Sequence, residues 1–180
     1  MFRWLLGNRL NQATEVEEAN TDPNEGGFAA VEPQRLPVSG EIVTDTASVA
    51  VFDLAALVHR VDDECDWWAD PGDELKELRA RNLLIVGLGS DGIYEVEVTD
   101  TQVENASVFS LLAPSGIIFV GAGEGLSGGG YQPNGSGSGY LISVDAGEYS
   151  VSVGRVGDVL QVGLVRGEAF ENEAVEPFTL

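Results

Sequence analysis

The chain has 180 residues, of which 43% are hydrophobic and 22% charged. That is one domain's length with enough apolar side chains to bury a core, which excludes wholesale disorder and a collagen-like or coiled-coil fibre. Thirty Asp and Glu against nine Lys and Arg give a formal charge of −21, which excludes the cationic stripe needed to hold nucleic acid or an anionic membrane surface.

The first ten residues set Phe2, Trp4, Leu5 and Leu6 beside Arg3 and Arg9, the one positive, apolar cluster in the chain. Gly7 and Asn8 break the run, which is too short for a secretory core and far below the roughly 18 apolar residues of a membrane span. It reads as a helical or disordered N-terminus that docks on something or, more sharply, as a weak anchor for a membrane or a partner. From Asn11 to Gly40, Pro23, Pro33 and Pro37 with Gly26 and Gly27 interrupt both helix and sheet ladder. Residues 1–40 are therefore expected to be an N-terminal segment and flexible linker, and residues 41–180 a single β-rich domain. With no spanning segment and one cysteine, Cys65, the expected location is the cytoplasm.

Ser48 to Phe52 follows the turn signal Thr44-Asp45-Thr46 and predicts a strand. Asp53 then caps a predicted short helix with Leu54, Leu57, Val58 and Val61 at helical spacing. Pro71 opens a second helix, with Asp73 and Glu74 in its first turn and Arg79 and Arg81 at its end, as the helix dipole favours. Everything after Asn82 predicts β-structure. The run Leu83 to Leu88, the turn Gly89-Ser90-Asp91-Gly92 and the alternation of Ile93 to Thr99 read as a hairpin whose second strand has one wet face. Val108 to Leu112, Ile117 to Val120, Tyr140 to Val144, Tyr149 to Val153 and Val159 to Val165 are further strands, and Pro177 to Leu180 is a candidate last one. The expected fold is an antiparallel β-sandwich or open barrel of about eight or nine strands, with one or two short helices near its N-terminal side.

Two segments stand out chemically. From Asp53 through Glu77 there are nine acids against Arg60, Lys76 and the near-neutral His59. Asp62, Asp63, Glu64 and Asp66 lead into Trp67 and Trp68. Such a charge run reads either as a solvated loop that keeps the protein soluble or, because paired indoles sit inside the acidic rim, as a partner surface where carboxylates steer a basic protein and an indole supplies the apolar anchor. Neighbouring side chains diverge, so one indole should be core and the other at least half exposed. The spacing lacks the alternate-position carboxylates and central Gly of a calcium loop, so no metal is assigned. The second segment, residues 121–139, holds nine of the 23 glycines. It has neither the following Lys of a phosphate loop nor a helix, so no nucleotide cofactor is expected. It reads as a long loop, with Glu124, Tyr131 and Asn134 as its candidate binding side chains. Nothing reads as catalytic: Cys65 lies in an acidic stretch that opposes a thiolate, and Ser90 is in a turn rather than a nucleophile elbow.

The runs Asp45 to Asp53, His59-Arg60-Val61, Cys65 to Trp68, Asn82 to Tyr94, and Ile118 to Glu124 with Gly128-Gly129 resemble an uncharacterised bacterial β-rich family over roughly Glu41 to Arg166. The resemblance implies the fold and no activity. More loosely, the order of strand, acidic Trp segment, Gly-Ser-Asp-Gly turn and Ala-Gly-Glu-Tyr strand is similar to competence-type nuclease inhibitors and small acidic immunity proteins. The reading is a non-enzymatic acidic binding protein, an immunity or inhibitor protein masking a basic toxin or nuclease. Its rivals are a small hydrolase or carbohydrate-binding protein using residues 121–139 as a lid, and a domain whose acidity is an adaptation to salt.

Overall fold

The molecule is described here from a computed structural model over residues 31–157 and 159–180. The N-terminal apolar cluster and most of the predicted linker lie outside the described residues. Nine strands form two sheets. One sheet has the order β1 (Val38–Thr44), β4 (Gly92–Thr99), β9 (Val159–Arg166), β8 (Gly147–Val156), β5 (Ser107–Ala113). The other has the order β3 (Leu83–Gly87), β2 (Ser48–Asp53), β6 (Ile117–Ala122), β7 (Gly139–Ser143). One α-helix, α1 (Pro71–Arg79), and three short 3-10 turns complete the described elements. The mainly β fold agrees with the sequence, and no barrel closes.

The two sheets share one core, in which Ile42, Val96, Val151 and Val162 of the five-stranded sheet meet Val49, Val51, Val86 and Val120 of the four-stranded one. The two sheets differ on their other faces. In β4, Tyr94, Val96 and Val98 are buried while Ile93, Glu95 and Glu97 are exposed, giving the alternation of a sheet wet on one side. All six residues of β2 are buried. Its second face, Ala50 and Phe52, joins Leu57, Trp67, Leu83, Ile85, Phe119, Leu126 and Leu141 in a smaller cluster. Continuous apolar runs in β2, β3 and β6 are thus strands covered on both faces. The cover is made of residues 54–70 and the glycine-rich loop.

Several sequence expectations change. Leu83 to Thr99 is not a hairpin: β3 pairs with β2, β4 pairs with β1 and β9, and the turn at Gly89 to Gly92 carries the chain from one sheet to the other. The sandwich is not wholly antiparallel, because β4 and β9 run parallel with Val96 opposite Leu160. The helix predicted after Asp53 is instead a series of turns ending in a 3-10 turn at Val58–Arg60. The Asp53 carboxylate accepts from the Ala55 and Ile117 amides and from the Ser115 amide and hydroxyl, so it ties β2 to the β5–β6 turn rather than opening a helix. Leu57 is buried while Val58 is exposed, which breaks the helical stripe. Of the segment read as linker, residues 31–40 already pair with the domain. The Val31 amide donates to Asn134, Gln34 bridges to Ile142, and β1 begins at Val38. The α1 prediction holds: Asp70 caps the helix by accepting from the Gly72 and Asp73 amides, with Pro71 in the first turn.

The sheet edges are met by groups that are not strands. On β1, the Val43 amide donates to the Ser138 hydroxyl and the Glu41 carbonyl accepts from Tyr140. On β3, Gly87 is paired with residues 178–180, where the sequence expects a last short strand and the fold has an isolated parallel bridge at Thr179. On β5, the buried carboxamide of Asn172 stands in for a neighbouring strand: Oδ1 accepts from the Ser110 amide, and Nδ2 donates to the carbonyls of Ser110 and Leu78. Asn172→Ala is expected to cost about 2 kcal/mol, because three backbone groups lose their partner while water can reach some of them from the adjoining groove. Urea unfolding checks this, with Glu171→Ala as a control that should move the midpoint by less than about 0.5 kcal/mol.

Candidate partner-binding site

The acidic Trp segment is organised around an arginine. Arg60 is buried, and its guanidinium lies 4.4 Å from the centre of the Trp67 ring. It donates to Asp63 at 2.8 Å, to Asp73 at 2.9 Å and to Glu77 at 2.9 Å. Glu77 also accepts from Asn82 at 2.8 Å and stands 3.1 Å from His59 Nε2. Burial opposes the charge on both groups. Hydrogen bonds outweigh it, so Arg60 is held protonated far above physiological pH and the Glu77 carboxyl is held below its ordinary range. These contacts draw the segment between Arg60 and Asp73 into one fixed arc.

Trp67 is 7% exposed and its indole N–H donates to the Ser127 carbonyl at 2.7 Å. Trp68 is half-buried and packs on the smaller core cluster. Trp67 is thus the core indole the sequence expects, whereas Trp68 falls short of half exposed because it packs on that cluster; it is still the one of the two with more surface left to offer. Asp62, Glu64 and Asp66 are exposed, and among the described residues no Lys, Arg or His lies within ion-pair distance of them. Asp63 differs, because its carboxylate is engaged by Arg60. Together with Asp70, Asp73 and the rim of Trp67, these residues line an open concavity of about 550 Å³.

The two segments that stood out in the sequence are in contact. The Gly129 amide donates to the Asp63 carbonyl and the Gly130 amide to the Val61 carbonyl, each at 2.7 Å, and the Gln132 side chain donates to the Leu54 carbonyl. A side chain at Gly128 would press on the Glu64 carbonyl and the Trp67 ring, and Gly129 has φ +59° against Cys65, so the approach requires glycine. The loop is a strap fastened to the acidic segment. As a lid it would have to break these bonds.

The loop candidates do not converge. Glu124 caps the β1–β2 turn, accepting from Thr44, Thr46 and the Asp45 amide. Burial alone would raise its pKa, but these bonds and its own amide bring it below the ordinary carboxylate range. Tyr131 closes a small turn with Gly128 and is exposed, and Asn134 holds Ser136 and receives Val31. Sequence reasoning missed Arg60, the hub of the site. Its signal was a lone arginine among nine acids. Among the described residues no three His, Cys, Asp or Glu side chains come together as a metal site, and no helix is long and apolar enough to cross a membrane.

No curated protein matches the chain. Among solved structures, the product named crocagin biosynthetic gene J is similar at 14% identity with a TM-score of 0.44, over 73% of this chain and 96% of that one. ComJ from Bacillus subtilis, described as an inhibitor of the DNA-degrading activity of NucA, is similar at 9% identity with a TM-score of 0.45, over 72% and 96%. The latter is the counterpart of the competence-type likeness drawn from the sequence. The expected membership of an uncharacterised family is also met: residues 37–180 match the model of a family of unknown function, DUF6386, and the chain belongs to that family.

Proposed function

We propose that the protein is a non-enzymatic binding protein that masks a basic protein surface, in the manner of an inhibitor or immunity protein. The observation that carries this reading is the set of exposed carboxylates of Asp62, Glu64 and Asp66, without a cation partner among the described residues, on an arc pinned from behind by Arg60 and the glycine strap. A fixed array of like charge is preorganised for a cationic partner, because little ordering entropy is lost on docking. Trp68 supplies the adjoining apolar surface.

Acids also lie on the outer face of the five-stranded sheet, at Glu41, Glu95 and Glu97, and along the tail at Glu168, Glu171, Glu173 and Glu176. That spread favours salt adaptation as a second reading, in which the concavity has no special role. Association kinetics with a partner captured from the source organism separate the two. With Asp62→Asn, Glu64→Gln and Asp66→Asn combined, the steering reading expects association at low salt to slow about tenfold and to lose salt dependence. Trp68→Ala is expected mainly to speed dissociation, by about 2 kcal/mol. Wild-type association by the triple variant at low salt would sink the proposal.

A further inference from the structure

Independently of the acidic concavity, and at the other end of α1, the C-terminal tail leaves part of β5 uncovered. Ser110 and Leu112 turn their amides away from β8, to Asn172 at 2.8 Å and to the Arg81 carbonyl at 2.7 Å. The two-residue alternation of a strand points the N–H and C=O of Val108 the same way. Among the described residues nothing hydrogen-bonds to that pair, and Val108 is 38% exposed. It borders a groove of about 610 Å³ between β5 and the tail. The groove's apolar lining includes the edge-to-face pair Phe109 and Phe178, with centroids 4.9 Å apart, and the exposed side chains of Phe170 and Val175. Glu171, Glu173 and Glu176 also line it, and none has a cation within ion-pair distance among the described residues. Arg79 meets the tail through the backbone instead, donating to the Ala174 carbonyl.

We propose that this groove takes an extended, basic segment of a protein partner, which adds to β5 as a short strand at Val108. An outward N–H and C=O on one residue form the donor–acceptor pair that an added strand's backbone satisfies, the aromatic wall suits alternate apolar residues, and the three glutamates select cations for the others. Asn172 limits the added strand, because its carboxamide already occupies the edge at Ser110.

The test is an amide-resolved titration of the full chain with the acetylated, amidated hexapeptide Lys-Val-Lys-Val-Lys-Val. Binding should shift the Val108, Phe170 and Phe178 resonances and slow exchange of the Val108 amide at least tenfold. The same peptide N-methylated along one edge keeps its charge and side chains but cannot pair, and is expected to bind at least tenfold more weakly. Glu173→Lys combined with Glu176→Lys, both on the exposed tail, should weaken the parent peptide by a similar factor. The proposal is overturned by equal binding of the two peptides, by shifts confined to Asp62 to Asp73, or by no binding at millimolar peptide. A dimer whose interface maps to the groove would assign it to a second copy and overturn it equally.

Discussion

Replacing Arg60 by Met is expected to destabilise the protein by about 4 kcal/mol, the usual range for removing one partner of a buried ionic group. The cost does not come from lost attraction alone. Glu77 is 2% exposed and points one carboxylate oxygen at the guanidinium, so without Arg60 a charge stays buried with only Asn82 and the half-exposed His59 to meet it. Asp63 and Asp73 are more exposed and can turn to water. The double change Arg60→Met with Glu77→Leu removes the stranded charge and should recover more than half of the loss. Urea unfolding of the wild type, the two single variants and the double variant gives the cycle. If the double variant is as unstable as Arg60→Met alone, the arginine stabilises through its stacking on Trp67 and not through Glu77. The association rate with a basic partner should fall in Arg60→Met even where it remains folded, because the arc carrying Asp62 and Glu64 loses its anchor.

What could be read from the sequence follows from how many faces of each element are wet. β4 alternates, since one side meets water, and α1 announces itself through Pro71, its acidic first turn and its basic end. The start of β1, Val38 to Gly40, reads as linker because Pro37 and Gly40 suppress a strand signal. In the fold Gly40 lies on the inward-facing row with Val38 and Ile42, and the space a side chain would take there is filled by the Tyr140 hydroxyl. The hairpin over residues 83–99 misled for a different reason: local turn chemistry at Gly89 to Gly92 is the same whether the next strand returns beside the first or crosses to another sheet. The apolar runs of β2, β3 and β6 need a cover on their second face, and the two segments that supply it stand out as compositions. Their contact was not legible, because it is made by the backbone amides of Gly129 and Gly130, which carry no side-chain signature. The charge cluster overstated the free acids for the same kind of reason, since Asp63, Asp73 and Glu77 are all engaged by one arginine that composition weighs as a single unit.

Glu74 is expected to make stability fall as pH rises through neutrality. It lies on the buried side of α1 with Leu75 and Leu78, is 8% exposed, and has no side-chain partner among the described residues. Burial raises its pKa from 4.5 to about 7. The native state therefore holds a proton that the unfolded chain releases near pH 4.5. The stability this contributes is complete below that pH, declines between pH 4.5 and about 7, and is gone above. The interval corresponds to about 3 kcal/mol at 1.36 kcal/mol per pH unit. Glu77 and Glu124 act with the opposite sign, because their lowered values contribute stability that is lost as pH falls into the acid range. The raw profile mixes these, so the informative quantity is the difference between the wild type and Glu74→Gln. The amide keeps shape and polarity but cannot ionise. The two proteins should be equally stable near pH 4, and the variant should be the more stable by about 3 kcal/mol at pH 8. Parallel profiles across that range would mean that Glu74 reaches water in the native state and ionises there as it does in the unfolded chain.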